Sequence, residues 1–348
     1  MEFCERWPEI QERYLTYWNR ENHDRPLISL QAPKNKQSPP PQSNHATTRE
    51  RWLDIDYQIA CDNWHFENTV RYGEAMPVSN PNFGPDYFAA CYGTEIEFGD
   101  NTSWAIPTLT DDDIEARRFP TLQDNFYRRR MNDLTRAAAK DGKGRYLVGV
   151  TDLHPGADAL VSMRGPEALC LDMVDYPGYV REGSRALFDG LRTIYEELVD
   201  ITDTAQQGTT TWLGFWHPGR WYVTSCDLIC LLSETMFEEE IVPELIDELD
   251  YFDASIFHLD GPDALRHLDR LLRLEKLKGI QWVYGAGQPT ASHWLPVLKK
   301  IQNAGKCIHV AATPEELPIL LDNLAPEGVM YNVRAKTEDD AERVMKLL

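Results

Sequence analysis

The chain has 348 residues, and its 56 Asp and Glu residues outnumber its 35 Lys and Arg residues, for a formal net charge of -21. A phosphate-binding surface needs clustered basic residues, so this balance argues against nucleic acids and anionic membranes as partners. Hydrophobic residues make up 42% and charged residues 26%, a ratio typical of a globular protein and not of a disordered one.

The amino terminus is charged and lacks the apolar core of a signal peptide. No apolar run approaches the ~18 residues that a membrane span needs. The seven cysteines form no Cys-x-x-Cys pair and no repeated spacing. We therefore expect a cytoplasmic protein.

The first half of the chain alternates between helix and strand signals. Residues 1–24 predict an amino-terminal helix with an aromatic stripe that includes Trp7, Tyr14 and Trp18. Apolar runs predict strands at 25–31, 75–79 and 146–150, with helices between them. Residues 93–120 lack a clear period and predict an irregular excursion.

The second half is more regular. Strands are predicted at 209–216, 254–258, 280–284, 307–310 and 329–333, each followed by a helix. Eight strands that alternate with helices favour parallel pairing and a (β/α)8 barrel. We expect a single domain over residues 1–348, with the barrel spanning 25–348. No Gly-x-Gly-x-x-Gly or P-loop motif supports a nucleotide-binding fold.

Chemistry in such a barrel lies at the carboxyl ends of the strands. Those ends are polar and aromatic here, although the strand bodies are apolar. Asp152 is a candidate catalytic residue, and Trp216 and His217 suggest an aromatic wall for a ring-shaped ligand; the other reading of this pair is plain core packing. The full set of candidate substrate-binding residues is Gln31, Asn80, Trp216, His217, Tyr284, His309, Tyr331 and Arg334.

His258-Leu259-Asp260 is the sharpest candidate for a site. Residues two apart on a strand face the same side, so His258 and Asp260 point together into the barrel mouth. The pair fits a divalent metal ion, and it also fits a general acid/base couple. A third reading is a hydrogen-bonded histidine beside a turn that caps the next helix.

Several segments resemble the uroporphyrinogen decarboxylase-like proteins. They are Gly73-Glu74-Ala75-Met76-Pro77, Ala89-Ala90-Cys91-Tyr92-Gly93-Thr94, Asp152-Leu153 with Arg164-Gly165-Pro166-Glu167, the stretch from Asp227 to Leu245, and His258-Leu259-Asp260-Gly261. The resemblance implies a (β/α)8 barrel, often found as a dimer. It also implies either porphyrinogen decarboxylation or methyl transfer that involves a corrinoid and a zinc-bound thiol.

Departures from the family pattern bear on that choice. The true decarboxylases carry arginines after the first strand, whereas this chain reads Leu30-Gln31-Ala32-Pro33, and its early strand ends Ser79-Asn80. The zinc methyltransferases carry His-x-Cys and a later Cys, but here Asp260 takes the first Cys position and no Cys lies in the last strand. The chain is thus nearer the corrinoid-dependent methyltransferase branch, with a harder metal site than two thiolates would give.

The leading hypothesis is an enzyme that moves a methyl group between a small methylated compound and a corrinoid. The corrinoid would come from a separate carrier protein, because the Asp-x-His-x-x-Gly signature of corrinoid carriers is absent. His258 and Asp260 would act in catalysis or hold zinc, with Asp152 as a further catalytic group. Two alternatives stay open: a lyase, decarboxylase or hydrolase for a ring-shaped carboxylated substrate, and a non-catalytic barrel that binds a tetrapyrrole-like ligand.

Overall fold

The structure is a computed structural model that describes residues 1–206 and 208–348, with the backbone alone for 203–206. The strands are β1 (Leu27–Pro33), β2 (Thr69–Gly73), β3 (Val78–Ser79), β4 (Glu95–Phe98), β5 (Ser103–Ile106), β6 (Leu147–Val148), β7 (Thr209–Thr210), β8 (Trp216–His217), β9 (Trp221–Ser225), β10 (Ala254–Asp260), β11 (Gly279–Val283), β12 (Cys307–Ala312) and β13 (Val329–Arg334).

The helices alternate with these strands along the chain. They are α1 (Trp7–Asn19), α2 (Thr48–Leu53), α3 (Ile55–Asn68), α4 (Tyr87–Ala90), α5 (Asp111–Glu115), α6 (Phe126–Gly142), α7 (Gly156–Arg164), α8 (Pro166–Asp175), α9 (Tyr179–Gln206), α10 (Glu234–Met236), α11 (Val242–Tyr251), α12 (Leu268–Leu272), α13 (Leu295–Asn303), α14 (Leu317–Asn323) and α15 (Glu338–Met345). Short 3-10 turns lie at Asp227–Leu231, Pro262–His267 and Ala291–Trp294, and a π-helical turn lies at Phe237–Ile241. In the described part of the chain, no helix combines the length and the apolar character needed to span a lipid bilayer.

The central sheet has the strand order β2-β1-β13-β12-β11-β10-β9, and a separate parallel pair joins β3 to β6. Every ladder of the central sheet is parallel except that between β1 and β2. The predicted α/β alternation around a mostly parallel sheet is therefore confirmed. Within the described residues the hydrogen-bonded ladder does not run unbroken around a circle, so full barrel closure stays a prediction.

Two local predictions were wrong. The run 209–216 is two short strands, because the chain turns back at Gly214 with φ +74° and β7 pairs antiparallel with β8. The strand that joins the sheet beside β10 is instead β9. The stretch 93–120 is also more regular than expected, since β4 and β5 form an antiparallel hairpin before α5.

Helix α1 covers the amino end of the sheet. Its aromatic stripe packs in one cluster with the first residues of four parallel strands, Leu27, Trp221, Ala254 and Cys307. The indole of Trp18 donates to the carbonyl of Trp216 over 2.9 Å, and the hydroxyl of Tyr17 donates to the carbonyl of Ile308 over 3.3 Å. The predicted amino-terminal helix thus closes the end of the sheet that lies opposite the site expected for chemistry.

A buried ion pair lies near this amino end, just after β2. The side chain of Glu74 is fully buried, and the guanidinium of Arg25 donates to its two carboxylate oxygens over 2.7 and 3.0 Å. The backbone N–H of Ile28 donates a further bond of 2.9 Å. Several donors thus satisfy this carboxylate, as a buried charge requires.

Candidate functional site

A row of polar side chains crosses three neighbouring strands at the carboxyl half of the sheet. His258 on β10, Gln281 on β11 and His309 on β12 lie in register. The ring atom Nδ1 of His258 lies 2.7 Å from Oε1 of Gln281. An amide oxygen only accepts, so Nδ1 is the donor of this bond, and Nε2 is the ring nitrogen left for a ligand. This arrangement is typical of a histidine that is oriented to bind a metal ion.

Asp227, His258 and Asp260 form the first possible metal-binding group. Each offers one ligand atom, and these atoms lie within 4.8 Å of one another. His258 and Asp260 share a face of β10, as predicted, and Asp227 begins the 3-10 turn after the neighbouring strand β9. One imidazole and two carboxylates match the ligand types of a catalytic zinc site with an open fourth position, and they also suit harder divalent ions.

His154 belongs to a second group, with Asp152 and Asp158. Its Nε2 lies 3.0 Å from Asp152, and its Nδ1 lies 3.3 Å from Asp158. Burial alone would lower the pKa of His154, but the two carboxylates outweigh it and hold the pKa well above its usual value. Although His154, Asp158 and Asp227 also lie within ligand distance of one another, both ring nitrogens of His154 are engaged. His154 is therefore a cation and a proton donor, and it is poorly placed to bind a metal.

Asp158 connects the two groups. Its carboxylate accepts the backbone N–H of Asp227 over 2.9 and 3.0 Å and that of Leu228 over 3.3 Å. The side chain of Asp227 is exposed at the mouth, yet protein surrounds it on several sides. That loss of water, followed by the charge of Asp158, raises the pKa of Asp227, while His154 and His258 act in the opposite direction. A bound cation would relieve this crowding of carboxylates.

A chamber opens beside these residues. Its outer cavity has a volume of about 510 Å³ and is lined by residues that include Trp212, Asp260, Gln281 and Tyr284. An inner cavity of about 270 Å³ lies toward β1 and β13. The two cavities share Trp212, Leu213, His309 and Asn332, so they are adjoining parts of one space. The chamber has the size of a small-molecule site.

His309 lies between the two cavities as an uncharged polar group. It is 3% exposed, and its Nδ1 has no hydrogen-bond partner among the described residues. Burial, and then the nearby His258, lower the pKa of His309 to about 3. The ring of Phe215 packs edge-on against it, with ring centroids 4.9 Å apart. His309 is thus neutral at any physiological pH and has hydrogen-bonding capacity to offer a ligand.

The structure brings together most of the predicted site residues and leaves three elsewhere. Trp216 is buried against Trp7, with ring centroids 5.6 Å apart, and His217 lies against Trp18. Both are carried to α1 by the turn at Gly214. Tyr331 faces the helix side of β13, because its neighbours on that strand face the chamber. The predicted residues that lie at the chamber or its mouth are Gln31, Asn80, Asp152, His258, Asp260, Tyr284, His309 and Arg334.

Sequence reasoning missed several residues of the site. Gln281 is the one polar side chain in the strand Gly279–Val283, which was a usable signal. His154 and its partners Asp152 and Asp158 lie within seven residues of one another in the sequence. His154 follows a strand and adopts φ +44°, so no helix or strand period predicts where its side chain points. Asp227 and Asp158 meet only through the tertiary fold. The residues missed at the site are His154, Asp158, Asp227 and Gln281.

Comparisons with known proteins bear on the fold. No protein-family model matches the chain, and no curated protein matches its sequence. Among solved structures, the chain is similar to a methyltransferase from Methanosarcina mazei, with a TM-score of 0.62, 7% sequence identity and coverage of 97% of each chain. At that identity the likeness shows the fold alone. The protein therefore shares its α/β fold, over nearly its whole length, with a methyltransferase.

Proposed function

We propose that the protein is a cytoplasmic enzyme of the methyltransferase type, related to the uroporphyrinogen decarboxylase-like barrels. It moves a methyl group between a small methylated compound and a corrinoid held by a separate carrier protein. The observation that carries this proposal is the group Asp227, His258 and Asp260 at the mouth of the chamber. The fold shared with a methyltransferase supports it.

The donor set fits a divalent metal ion. It offers one nitrogen and two carboxylate oxygens, and the second ring nitrogen of His258 is fixed by Gln281 over 2.7 Å. A metal ion held by Asp227, His258 and Asp260 would supply Lewis acidity toward a thiol, amine or oxygen atom of the bound compound. Carboxylates in place of thiolates make this a harder site than that of the zinc methyltransferases.

The chain's own residues handle the proton that methyl transfer requires. Transfer would break the bond between the methyl carbon and its nitrogen, oxygen or sulfur atom and leave the electron pair on that heteroatom, with the carrier's corrinoid as the nucleophile that would accept the methyl group. The heteroatom then takes up a proton. We assign that proton to His154, which is charged between Asp152 and Asp158 and would release it once one of its two carboxylate contacts opens. In the reverse direction the same histidine, once neutral, accepts the proton.

The chamber walls hold the compound and limit water. The ring of Trp212 lies edge-on to His258, with centroids 5.7 Å apart, and it lines both cavities. Tyr284 lines the outer cavity on the other side. Asp227 and Asp260 are exposed, so the carrier protein would approach the methyl group from the mouth.

Metal analysis combined with a transfer assay tests the proposal. We expect the purified protein to hold about one divalent ion per chain and to methylate or demethylate cobalamin, measured by absorbance. His258→Ala and Asp260→Ala should each lower metal affinity or transfer by about tenfold or more. The matched control is His23→Ala, since the side chain of His23 is 71% exposed, pairs with Glu327 and lines neither cavity of the chamber. Metal-free protein with full transfer activity, or no transfer with any methylated compound, would contradict the proposal.

The charged group around His154 favours a second candidate function. A histidine cation between two carboxylates also suits a lyase or decarboxylase, which needs a proton donor at the mouth of the chamber. In that case activity would not depend on metal, and His154→Gln would abolish it while His258→Ala would leave it largely intact. The two functions therefore separate in the same set of variants.

A further inference from the structure

We propose that the inner cavity binds a carboxylate of the compound whose methyl group is transferred. The methylated end would lie toward His258 in the outer cavity, and the acid would lie beside Arg334 on the β13 side. The link to a methyl group rests on the proposed function, whereas the anion site itself stands on the side chains of the chamber.

A second polar row crosses the sheet on the side away from His258. Arg334 on β13 lies in register with Gln31 on β1, which lies in register with Arg71 on β2. Gln31 and Arg334 line the inner cavity, and with His65 they also line a neighbouring opening between β1 and α3. Arg334 and Gln31 therefore lie together at one wall of the inner cavity, whereas the side chain of Arg71 lines a separate cavity with Cys4 and Phe66.

This wall contains positive charge without matching negative charge. Among the described residues, Arg334 makes no ion pair and no side-chain hydrogen bond, although the chain carries a net charge of -21. At the same cavity, Nδ1 of His309 is buried without a partner among the described residues. An unpaired cation beside an unsatisfied buried polar group is the pattern expected where an anionic ligand completes the site.

The pKa of the neighbouring His65 is affected by positive charges at the same place. The surrounding protein, and then the positive charges of Arg71 and Arg334, lower the pKa of His65. His65 therefore stays neutral and can donate or accept a hydrogen bond at the rim of the inner cavity. The part of this shift in pKa that comes from Arg71 and Arg334 reflects a positive potential, which favours a carboxylate at the same place.

The opposite wall has the reverse sign. Asp227 and Asp260 stand at the mouth, whereas the neutral His309 and Asn332 lie between the two walls. A metal ion at the mouth would be offset by the charges of Asp227 and Asp260, whereas Arg334 is unpaired, so the acidic end of a compound is favoured at Arg334 and its methylated end at the mouth. The guanidinium of Arg334 can bind the acid through two parallel hydrogen bonds.

Calorimetric titration of the full-length protein with matched probes tests this inference. The probes are methoxyacetate against 2-methoxyethanol, and dimethylglycine against dimethylaminoethanol, which share the methylated atom and differ in the acid. We expect each acid to bind at least about tenfold more tightly than its partner, as a charge-assisted pair would give. Arg334→Gln should remove that advantage and leave the affinities for the alcohols within about twofold. Arg334→Lys should keep part of it.

Arg273→Gln is the matched control, because Arg273 is exposed and does not line the chamber. Equal binding of acids and alcohols, no binding of either acid, or an unchanged acid affinity in Arg334→Gln would each overturn the inference. Assays of methyl transfer keep the two proposals apart. Tight acid binding without transfer supports the anion site and contradicts the proposed function. Transfer from the two alcohol probes alone supports the proposed function and contradicts the anion site.

Discussion

Several polar groups at the two ends of the sheet are treated in opposite ways, although Nε1 of Trp216 at the amino end is also buried without a partner among the described residues. At the amino end, the indole of Trp18 and the hydroxyl of Tyr17 donate to carbonyls, and Glu74 is held by Arg25. At the carboxyl end, Nδ1 of His309 and Nε1 of Trp212 are buried without partners in the described structure. The first end contributes stability, whereas the second keeps hydrogen-bonding capacity in reserve for a ligand.

The largest effect on stability is expected at the amino end. Arg25→Ala leaves the fully buried carboxylate of Glu74 without its two-bond partner. Breaking a buried pair costs about 3–5 kcal/mol, so urea denaturation should show a loss of that order in the free energy of unfolding. Binding of methoxyacetate, measured on the folded variant, should be unchanged.

Arg192→Ala provides the control for this substitution, since the side chains of Arg192 and Asp189 are 48% and 91% exposed. An exposed pair contributes about 1 kcal/mol or less. If Arg25→Ala cost no more than Arg192→Ala, the amino end would not be the stabilising end.

A smaller effect on the free energy of unfolding is expected below the mouth of the chamber, where the side chain of Glu244 contacts the start of α7. Its carboxylate accepts the N–H of Ala157 over 3.2 Å. Burial, and less so the charge of Asp158, raise the pKa of Glu244 from its usual 4.5 to about 8. Between these pH values the unfolded chain binds fewer protons at this group than the folded protein does. The contribution of Glu244 to the free energy of unfolding is therefore fully present below about pH 4.5 and is lost as the pH rises through about 8.

Glu244→Gln removes this titration. Urea denaturation at about pH 5, 7 and 8.5 should show the wild type losing at least about 1 kcal/mol relative to the variant across that range. Glu315→Gln, at an exposed position, should follow the wild type. Parallel pH curves for wild type and Glu244→Gln would show that Glu244 is not a source of strain at the carboxyl end.

The sequence predicted the fold better than the site, for reasons visible in individual residues. Local periodicity in the sequence predicts the apolar strands and the helices between them. The spacing of His258 and Asp260 predicts in the same way that they share one face of a strand. Trp216 was misplaced because a single turn at Gly214 reverses the chain. The row Arg334, Gln31 and Arg71 depends on register between distant strands, which no local spacing encodes.

The smallest effect gives the most direct comparison of the two ends. His309→Leu replaces a buried group that lacks a partner with an apolar one of similar size, so we expect no loss of stability, or a gain of up to about 1 kcal/mol. Tyr17→Phe, at the other end, removes the donor to Ile308 and should cost about 0.5–1.5 kcal/mol. Urea denaturation of both variants, together with titration of methoxyacetate, measures the contrast.

Because His309 lies in both cavities, its replacement should weaken acid binding even as the fold is preserved. A loss above about 2 kcal/mol with normal binding would instead make His309 a structural residue, and the two ends would no longer differ in kind.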